Sequence, residues 1–234
     1  MKIVYTTCMR KSKGVYSMAF DLNLFETNFT FAFKAVAANN IRVATKAFDE
    51  FWKSNSQFLS EAEDLYGRIL SYAVNQQFKN SAPITASAYI VSGQEVNAYK
   101  AKAVFLNTSD YITSICRTDK PLKLPCRARY KLKLALGNMG DDQQIELFPD
   151  QKNKELAPDI PKKYAIIGYR YINGEMKHLN IIVPDWEYKN ILHSENLLNQ
   201  INEFYNYIPE EIVEENVAKL KDNIAQEVKT KNII

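Results

Sequence analysis

The chain has 234 residues, of which 46% are hydrophobic and 24% are charged, and its formal net charge is +3. This composition excludes a disordered chain, and the mild charge excludes a mimic of nucleic acid, whose surface would be strongly acidic. The sequence has no signal peptide and no run of about 18 apolar residues, which predicts a cytoplasmic protein with no membrane contact. Because that compartment is reducing, Cys8, Cys116 and Cys126 are expected to be buried free thiols.

Two helices are predicted in the N-terminal part of the chain. The segment 34–53 carries apolar residues at helical spacing. Ser60 and Glu63 then form a Ser-x-x-Glu capping box, in which each side chain satisfies a free N–H group at a helix start. The second helix is therefore expected to begin at Ser60 and to end near Phe78.

Strands are predicted next along the chain. The segment 84–91 is rich in β-branched and aromatic residues, which favours a strand. The segment 102–116 has two such runs, separated by polar residues at 107–110. This pattern predicts a hairpin that turns at those residues.

Two geometries compete for the basic stretch 126–136. Charged and apolar residues alternate, as in a strand with one basic face. Good helix formers dominate, however, and a proline precedes the stretch while a glycine follows it, which favours a helix. On that helix the apolar residues would share one arc and pack on the core. These residues are Ala128, Leu132, Ala135 and Leu136.

The segment 164–183 carries the strongest local signal. Its Asn173-Gly174 dipeptide favours the two positive φ angles of a type I′ turn. A regular two-residue hairpin would pair Tyr169 with His178 and Ile166 with Ile181. Both faces are apolar away from the turn, which predicts that these strands lie inside a sheet.

The C-terminal part is predicted to be helical. A helix is expected at 186–205, and another begins after Pro209. The last helix carries one apolar stripe, formed by Val213, Val217, Leu220, Ile224 and Val228.

These elements predict the α+β class, with a helical N-terminal region, an antiparallel sheet that includes the 164–183 hairpin, and a helical C-terminus. A single domain over residues 1–234 is expected. Residues 139–163 are rich in proline and polar residues and form the best linker candidate. They leave open a sub-division in which 164–234 is a separate part.

The basic segment 117–133 is the leading candidate for a functional surface. It sums to +6 and residues 1–20 sum to +4, whereas 185–215 sum to −7. Such a segment can bind phosphates or an acidic protein, or it can be neutralised by 185–215 in the same molecule. We therefore predict a non-enzymatic protein that binds a protein or a nucleic acid. The sequence leaves its oligomeric state open. Its predicted contact residues are Arg117, Lys120, Lys123, Arg127, Arg129, Lys131 and Lys133, with Tyr130 as a stacking ring.

Motifs for other chemistry are few. The two histidines, His178 and His193, lack the spacing of zinc ligands, and a phosphate-binding glycine loop is missing. No cofactor and no metal is therefore expected, and His178 is expected to be a paired sheet residue. The apolar stripe of the last helix offers a structural alternative, assembly through the acidic C-terminal helices. Its spacing holds for barely two heptads, which favours packing on its own domain.

One catalytic alternative comes from a resemblance. Pro158-Asp159 followed by Glu175-Met176-Lys177 resembles the Pro-Asp…(Asp/Glu)-x-Lys signature of a large nuclease superfamily. The resemblance implies a Mg²⁺-dependent nuclease, in which the two carboxylates hold the metal and the lysine positions the attacking water. The chain departs from that pattern because Glu175 directly follows the Asn-Gly turn, whereas the acidic residue of the family ends an apolar strand.

A second resemblance gives context but no activity. The run "ICRTDKPLKLPCRARYKLKLAL", the later "LFPD" and the "YAIIGYRY" strand resemble a family of uncharacterised proteins carried by phages and mobile elements of low-GC Gram-positive bacteria. The resemblance covers about residues 60–200 and rests on the order of these segments. It implies an accessory protein that acts within or against bacterial defence, and it assigns no functional residue.

Overall fold

The computed structural model describes residues 20–59, 63–81, 88–96, 102–139 and 162–230. Within these residues the predicted α+β class is confirmed, because helices from both ends of the chain flank one mostly antiparallel sheet. None of the described helices is long and apolar enough to cross a membrane.

The N-terminal helices follow the prediction closely. Helix α1 (Leu22–Asn28), which was not predicted, is capped by Asp21, whose Oδ1 accepts the Leu24 N–H at 2.9 Å. Helix α2 (Phe31–Ser54) confirms the helix predicted at 34–53 and begins one turn earlier. Helix α3 spans Ser56–Leu59, and α4 spans Glu63–Asn80. Ser60 of the predicted capping box lies outside the described residues.

Six strands form one sheet within the described part of the chain, and they lie side by side in sequence order. Every neighbouring pair is antiparallel except β3 and β4, which are parallel. The predicted hairpin at 102–116 is confirmed as β2 and β3. The strands are β1 (Ile90–Glu95), β2 (Lys102–Asn107), β3 (Tyr111–Arg117), β4 (Lys163–Ile172), β5 (Glu175–Pro184) and β6 (Ile191–Asn196).

The strand predicted at 84–91 is confirmed at Ile90 and Val91 but not at residues 88 and 89. Residues 84–87 lie outside the described residues, and β1 begins only at Ile90. The preceding Tyr89 is buried among the helices, where Asn40 Nδ2 donates to its hydroxyl at 2.9 Å. This buried contact holds Tyr89 in the helical layer, ahead of the first strand.

Because β3 and β4 are parallel, the chain between them returns along the sheet to reach the start of β4. We call the described part of this connection, residues 118–139, the crossover segment. It contains helix α5 (Arg129–Ala135) and a 3₁₀ turn at Leu136–Asn138. The predicted linker at 139–163 lies largely outside the described residues.

The β4–β5 hairpin turns at Asn173 and Gly174, with φ angles of 53° and 80°, as the sequence predicted. Its register is nevertheless shifted by one residue, because a β-bulge at Lys177 leaves that residue with no residue of β4 opposite it. Arg170 therefore pairs with His178, so the predicted Tyr169–His178 pair is wrong. The predicted Ile166–Ile181 pair is wrong for the same reason, since Ile166 pairs with Ile182.

The helix predicted at 186–205 is wrong over most of its length. Asp185 accepts the Lys189 N–H and the Asn190 side-chain N–H at 2.7 Å each, and Tyr188 adopts a φ of 55°. This turn sends the chain back along β5 as strand β6. Only the end of the predicted helix is helical, as a 3₁₀ turn at Leu198–Gln200 and helix α6 (Ile201–Tyr205).

The last helix, α7 (Glu210–Thr230), agrees with the prediction. All five residues of the predicted apolar stripe are buried, and the helix packs on α2 and α4. The apolar stripe is thus buried within the chain's own fold, as its short length favoured.

The sheet has two covered faces. The helix face packs on α4, and one large apolar cluster extends from the sheet through α4, α2 and α7. It includes Phe33, Ile181 and Leu220 from both sides of the predicted linker. The crossover face carries a smaller cluster, in which Ala135 of α5 packs with Ile166 and Ile182. The crossover segment is thus the layer between this face and solvent.

Candidate interaction surface on the crossover segment

The crossover segment is tied to the sheet at its start by hydrogen bonds. Thr118 N–H donates to the Tyr169 carbonyl at 3.0 Å, and Thr118 Oγ1 lies 2.6 Å from His178 Nε2. Asn180 Nδ2 donates to the Pro121 carbonyl at 2.9 Å. These contacts fix the extended residues that precede α5.

Asn138 ties the other end of the crossover segment to two strands at once. Its Nδ2 donates to the carbonyls of Tyr164 and Pro184 at 2.9 and 2.8 Å, and its Oδ1 accepts the Tyr164 N–H at 2.7 Å. All three bonds are buried. The side chain thus completes backbone hydrogen bonding where β4 and β5 meet the 3₁₀ turn.

Helix α5 confirms the helical alternative for 126–136, although it begins only at Arg129. The predicted buried arc is wrong in two of its residues, since Leu132 and Leu136 are 37% and 43% exposed. The ring of Tyr130 packs on Phe105 at 5.9 Å between centroids, and Leu134 packs on the crossover face. These contacts rotate the helix so that the two leucines point outward.

The same rotation buries Lys131, which is only 7% exposed. Its Nζ donates to the Cys126 carbonyl at 3.2 Å and lies 5.8 Å from the centroid of the Tyr130 ring. Lys131 is therefore not available to a partner, contrary to its place in the predicted contact set. Tyr130 is half-buried, and burial and the neighbouring Cys116 raise the pKa of its hydroxyl.

Arg117 lies apart from the other predicted contact residues. It ends β3 with its guanidinium against Gly67 of α4, in space that a Cβ at position 67 would occupy. The side chain thus lies on the helix face, and Arg117 is not part of a common surface with α5.

Five predicted contact residues remain exposed on the crossover segment. We call them the basic surface: Lys120, Lys123, Arg127, Arg129 and Lys133. In the described part of the chain, Lys123 alone among them has a carboxylate partner, Asp119 at 3.5 Å. Both side chains of that pair are largely exposed, at 59% and 76%, so the pair neutralises little charge.

Three carboxylates of the acidic segment 185–215 pair with α2. Glu195 lies 2.7 Å from Lys34, and Lys46 lies 2.7 Å from Glu210 and 2.8 Å from Glu214. The hydrogen bonds that Lys46 donates, to Glu210 and then to Glu214, raise the pKa of Lys46, and the bond from Lys46 lowers the pKa of Glu210. Within the described residues, no salt bridge joins 185–215 to 117–133.

A groove of about 650 Å³ runs between residues 122–127 and 188–191. Among the residues that the structure describes, three bases line it, Lys123, Arg127 and Lys189, and none of the lining residues is acidic. Cys126, also in the lining, is exposed, which corrects the expectation of a buried thiol, whereas Cys116 is half-buried. Cys8 lies outside the described residues.

The residues of the nuclease alternative are only partly placed. Asp159 lies outside the described residues. Glu175 is exposed beside the hairpin turn, where its carboxylate pairs with Lys177, and this bond lowers the pKa of Glu175. Within the described parts of the chain, no group of three potential metal ligands occurs.

The two histidines lie on opposite faces of the sheet. His178 is a buried, paired sheet residue as predicted, and burial followed by the charge of Arg170 lowers its pKa. His193, on the helix face, stacks on Phe20 at 4.6 Å, and burial lowers its pKa. The pair thus forms no common site.

The chain matches no family model, and comparisons with curated proteins and with solved structures likewise give no match.

Proposed function

We propose that this protein is a non-enzymatic accessory protein of the cytoplasm that binds a polyanionic macromolecule through the basic surface. The observation that carries the proposal is the separation of charges. Three carboxylates of the acidic segment, Glu195, Glu210 and Glu214, are engaged by Lys34, Arg42 and Lys46 of α2. The bases of the crossover segment are left exposed, on a segment that hydrogen bonds hold against the sheet.

The resemblance to phage and mobile-element proteins supports an accessory role, within or against bacterial defence. Such a role requires recognition of another macromolecule and requires no catalysis. The rigid attachment of the crossover segment at Thr118 and Asn138 favours recognition, because a preformed surface loses little conformational entropy on binding.

Equilibrium binding at increasing salt tests the proposal. The probes are fluorescein-labelled polyglutamate and an oligothymidylate of equal charge. We expect both probes to bind at low salt. For the oligonucleotide, a plot of the logarithm of the association constant against the logarithm of the salt concentration should have a slope of about −0.7 per contacted phosphate. Five basic side chains that each contact one phosphate would give a slope of about −3.5. Failure of both probes to bind at low salt would contradict the proposed function.

A further inference from the structure

The outward surface of α5 and of the first residue of the 3₁₀ turn that follows it carries two parallel rows of side chains. Arg129 and Lys133 form a basic row, and Leu132 and Leu136 form an apolar row, each at a spacing of four residues. Side chains at this spacing are neighbours on a helix, and the two rows are three residues apart, so they lie side by side. The surface therefore offers charge and apolar area together.

The apolar row is exposed, whereas a lysine of the same helix is buried. The helix buries Lys131 at 7% exposure while Leu132 and Leu136 remain 37% and 43% exposed. Leu122, which lines the basic groove beside Lys123, is 71% exposed. Leucines among the bases add area for an apolar partner and nothing for a purely charged one.

The chemistry of this surface favours a protein partner over a nucleic acid. Single-stranded nucleic acids are held by aromatic rings on which bases stack. The nearby rings are engaged, since Tyr130 packs on Phe105 and Tyr188 is buried with its hydroxyl donating to the Pro125 carbonyl at 3.2 Å. An amphipathic helix, by contrast, binds by laying its apolar face on apolar surface, which the exposed leucines offer.

We propose that α5 docks an acidic amphipathic helix of a partner protein. Carboxylates of the partner meet Arg129 and Lys133, and its apolar side chains cover Leu132 and Leu136. This inference rests on the proposed function, because it names the class of polyanion that the basic surface takes.

Three probes of equal charge and four proteins, the wild type and three variants, test this inference. The probes are a helix-forming peptide with Glu and Leu in rows of i, i+4 spacing, polyglutamate and oligothymidylate. We expect the wild-type protein to bind the Glu/Leu peptide about tenfold more tightly than polyglutamate, because only that peptide covers the leucines. The double variant Leu132→Gln/Leu136→Gln should lose this preference and bind polyglutamate as before.

A matched double variant shows whether the loss of any two exposed leucines changes binding, because its two leucines lie outside α5. Leu22→Gln/Leu192→Gln replaces residues that are 47% and 45% exposed, and it should keep the preference for the Glu/Leu peptide. The fourth protein, Arg129→Gln/Lys133→Gln, should weaken binding of all three probes.

The outcomes separate this inference from the proposed function. Equal affinity for the Glu/Leu peptide and polyglutamate, or tighter binding of oligothymidylate, overturns the inference and leaves the basic surface in place. A fall in unfolding midpoint for Leu132→Gln/Leu136→Gln alone would also overturn it, because the leucines would then pack within the chain. Absence of binding by every probe overturns both.

Discussion

Exchange of Lys123, Arg127, Arg129 and Lys133 for glutamate should weaken polyanion binding at low salt by at least about 100-fold, or ~2.7 kcal/mol. Each exchange removes an attraction and adds a repulsion, and single exposed charge pairs contribute about 0.2–1 kcal/mol. The fold should survive, since all four side chains are exposed. Among the described residues only two of the four donate hydrogen bonds, Lys123 to Asp119 at 3.5 Å and Arg127 to the Tyr188 carbonyl at 3.3 Å. Fluorescence anisotropy with labelled polyglutamate measures the change.

A variant of equal net charge provides the control. Each exchange of a base for glutamate changes the formal charge by two, so four exchanges take the protein from +3 to −5. The control exchanges exposed bases on the helices and should weaken binding far less, because it alters the overall charge and leaves the basic surface intact. Equal losses in both variants would contradict a localised site. The control residues are Lys53, Arg68, Lys79 and Lys229.

Replacement of Asn138 by alanine should lower the free energy of unfolding by at least about 3 kcal/mol, because it leaves three buried backbone groups without partners at about 1–3 kcal/mol each. Those groups are the Tyr164 N–H and the carbonyls of Tyr164 and Pro184. The loss is a large part of the roughly 5–15 kcal/mol that stabilises a typical domain. Urea unfolding followed by circular dichroism measures it.

Replacement of Asn202 by alanine is the control for this experiment, because Asn202 lies on α6 and is exposed. Asn202→Ala should change the free energy of unfolding by no more than about 0.5 kcal/mol, as surface substitutions usually do. If Asn138→Ala were equally mild, Asn138 would not anchor the crossover segment, and the basic surface would lack the rigid support described above.

The sequence correctly predicted the elements that depend only on interactions between residues close together in the chain. The five stripe residues of α7 are buried because their spacing places them on one side of a helix of 21 residues, whatever they pack against. The Asn173-Gly174 turn also follows from local backbone preference. The β-bulge at Lys177 does not, since it depends on how β4 and β5 fit together over their whole length.

Two errors came from contacts between distant parts of the chain. Residues 191–196 form a strand because β5 offers an open edge beside the Asp185 turn, although their composition also allows a helix. Helix α5 is rotated because Tyr130 meets Phe105 of β2, and so Lys131 is buried in place of Leu132. Neither contact is visible in the spacing of residues within one segment.

The partners of the acidic segment were visible in the sequence but were missed. Arg42 and Lys46 are four residues apart on α2, and Glu210 and Glu214 are four residues apart on α7. Two helices with such rows pair their charges when they pack side by side, as they do here. Asn138 gave no such signal, because a single asparagine after a helix is typical of a turn.

The central claim is that the bases of the crossover segment are open to an outside molecule, and lysine acetylation of the folded protein tests it most directly. Brief treatment with acetic anhydride, followed by mass spectrometry of peptides, gives a rate for each lysine. Lys120, Lys123 and Lys133 should react quickly and become protected when polyglutamate is added, whereas Lys34 and Lys131 should react slowly throughout. Slow reaction of Lys120, Lys123 and Lys133 in the protein alone would show that the chain itself covers them, and the proposed surface would not exist.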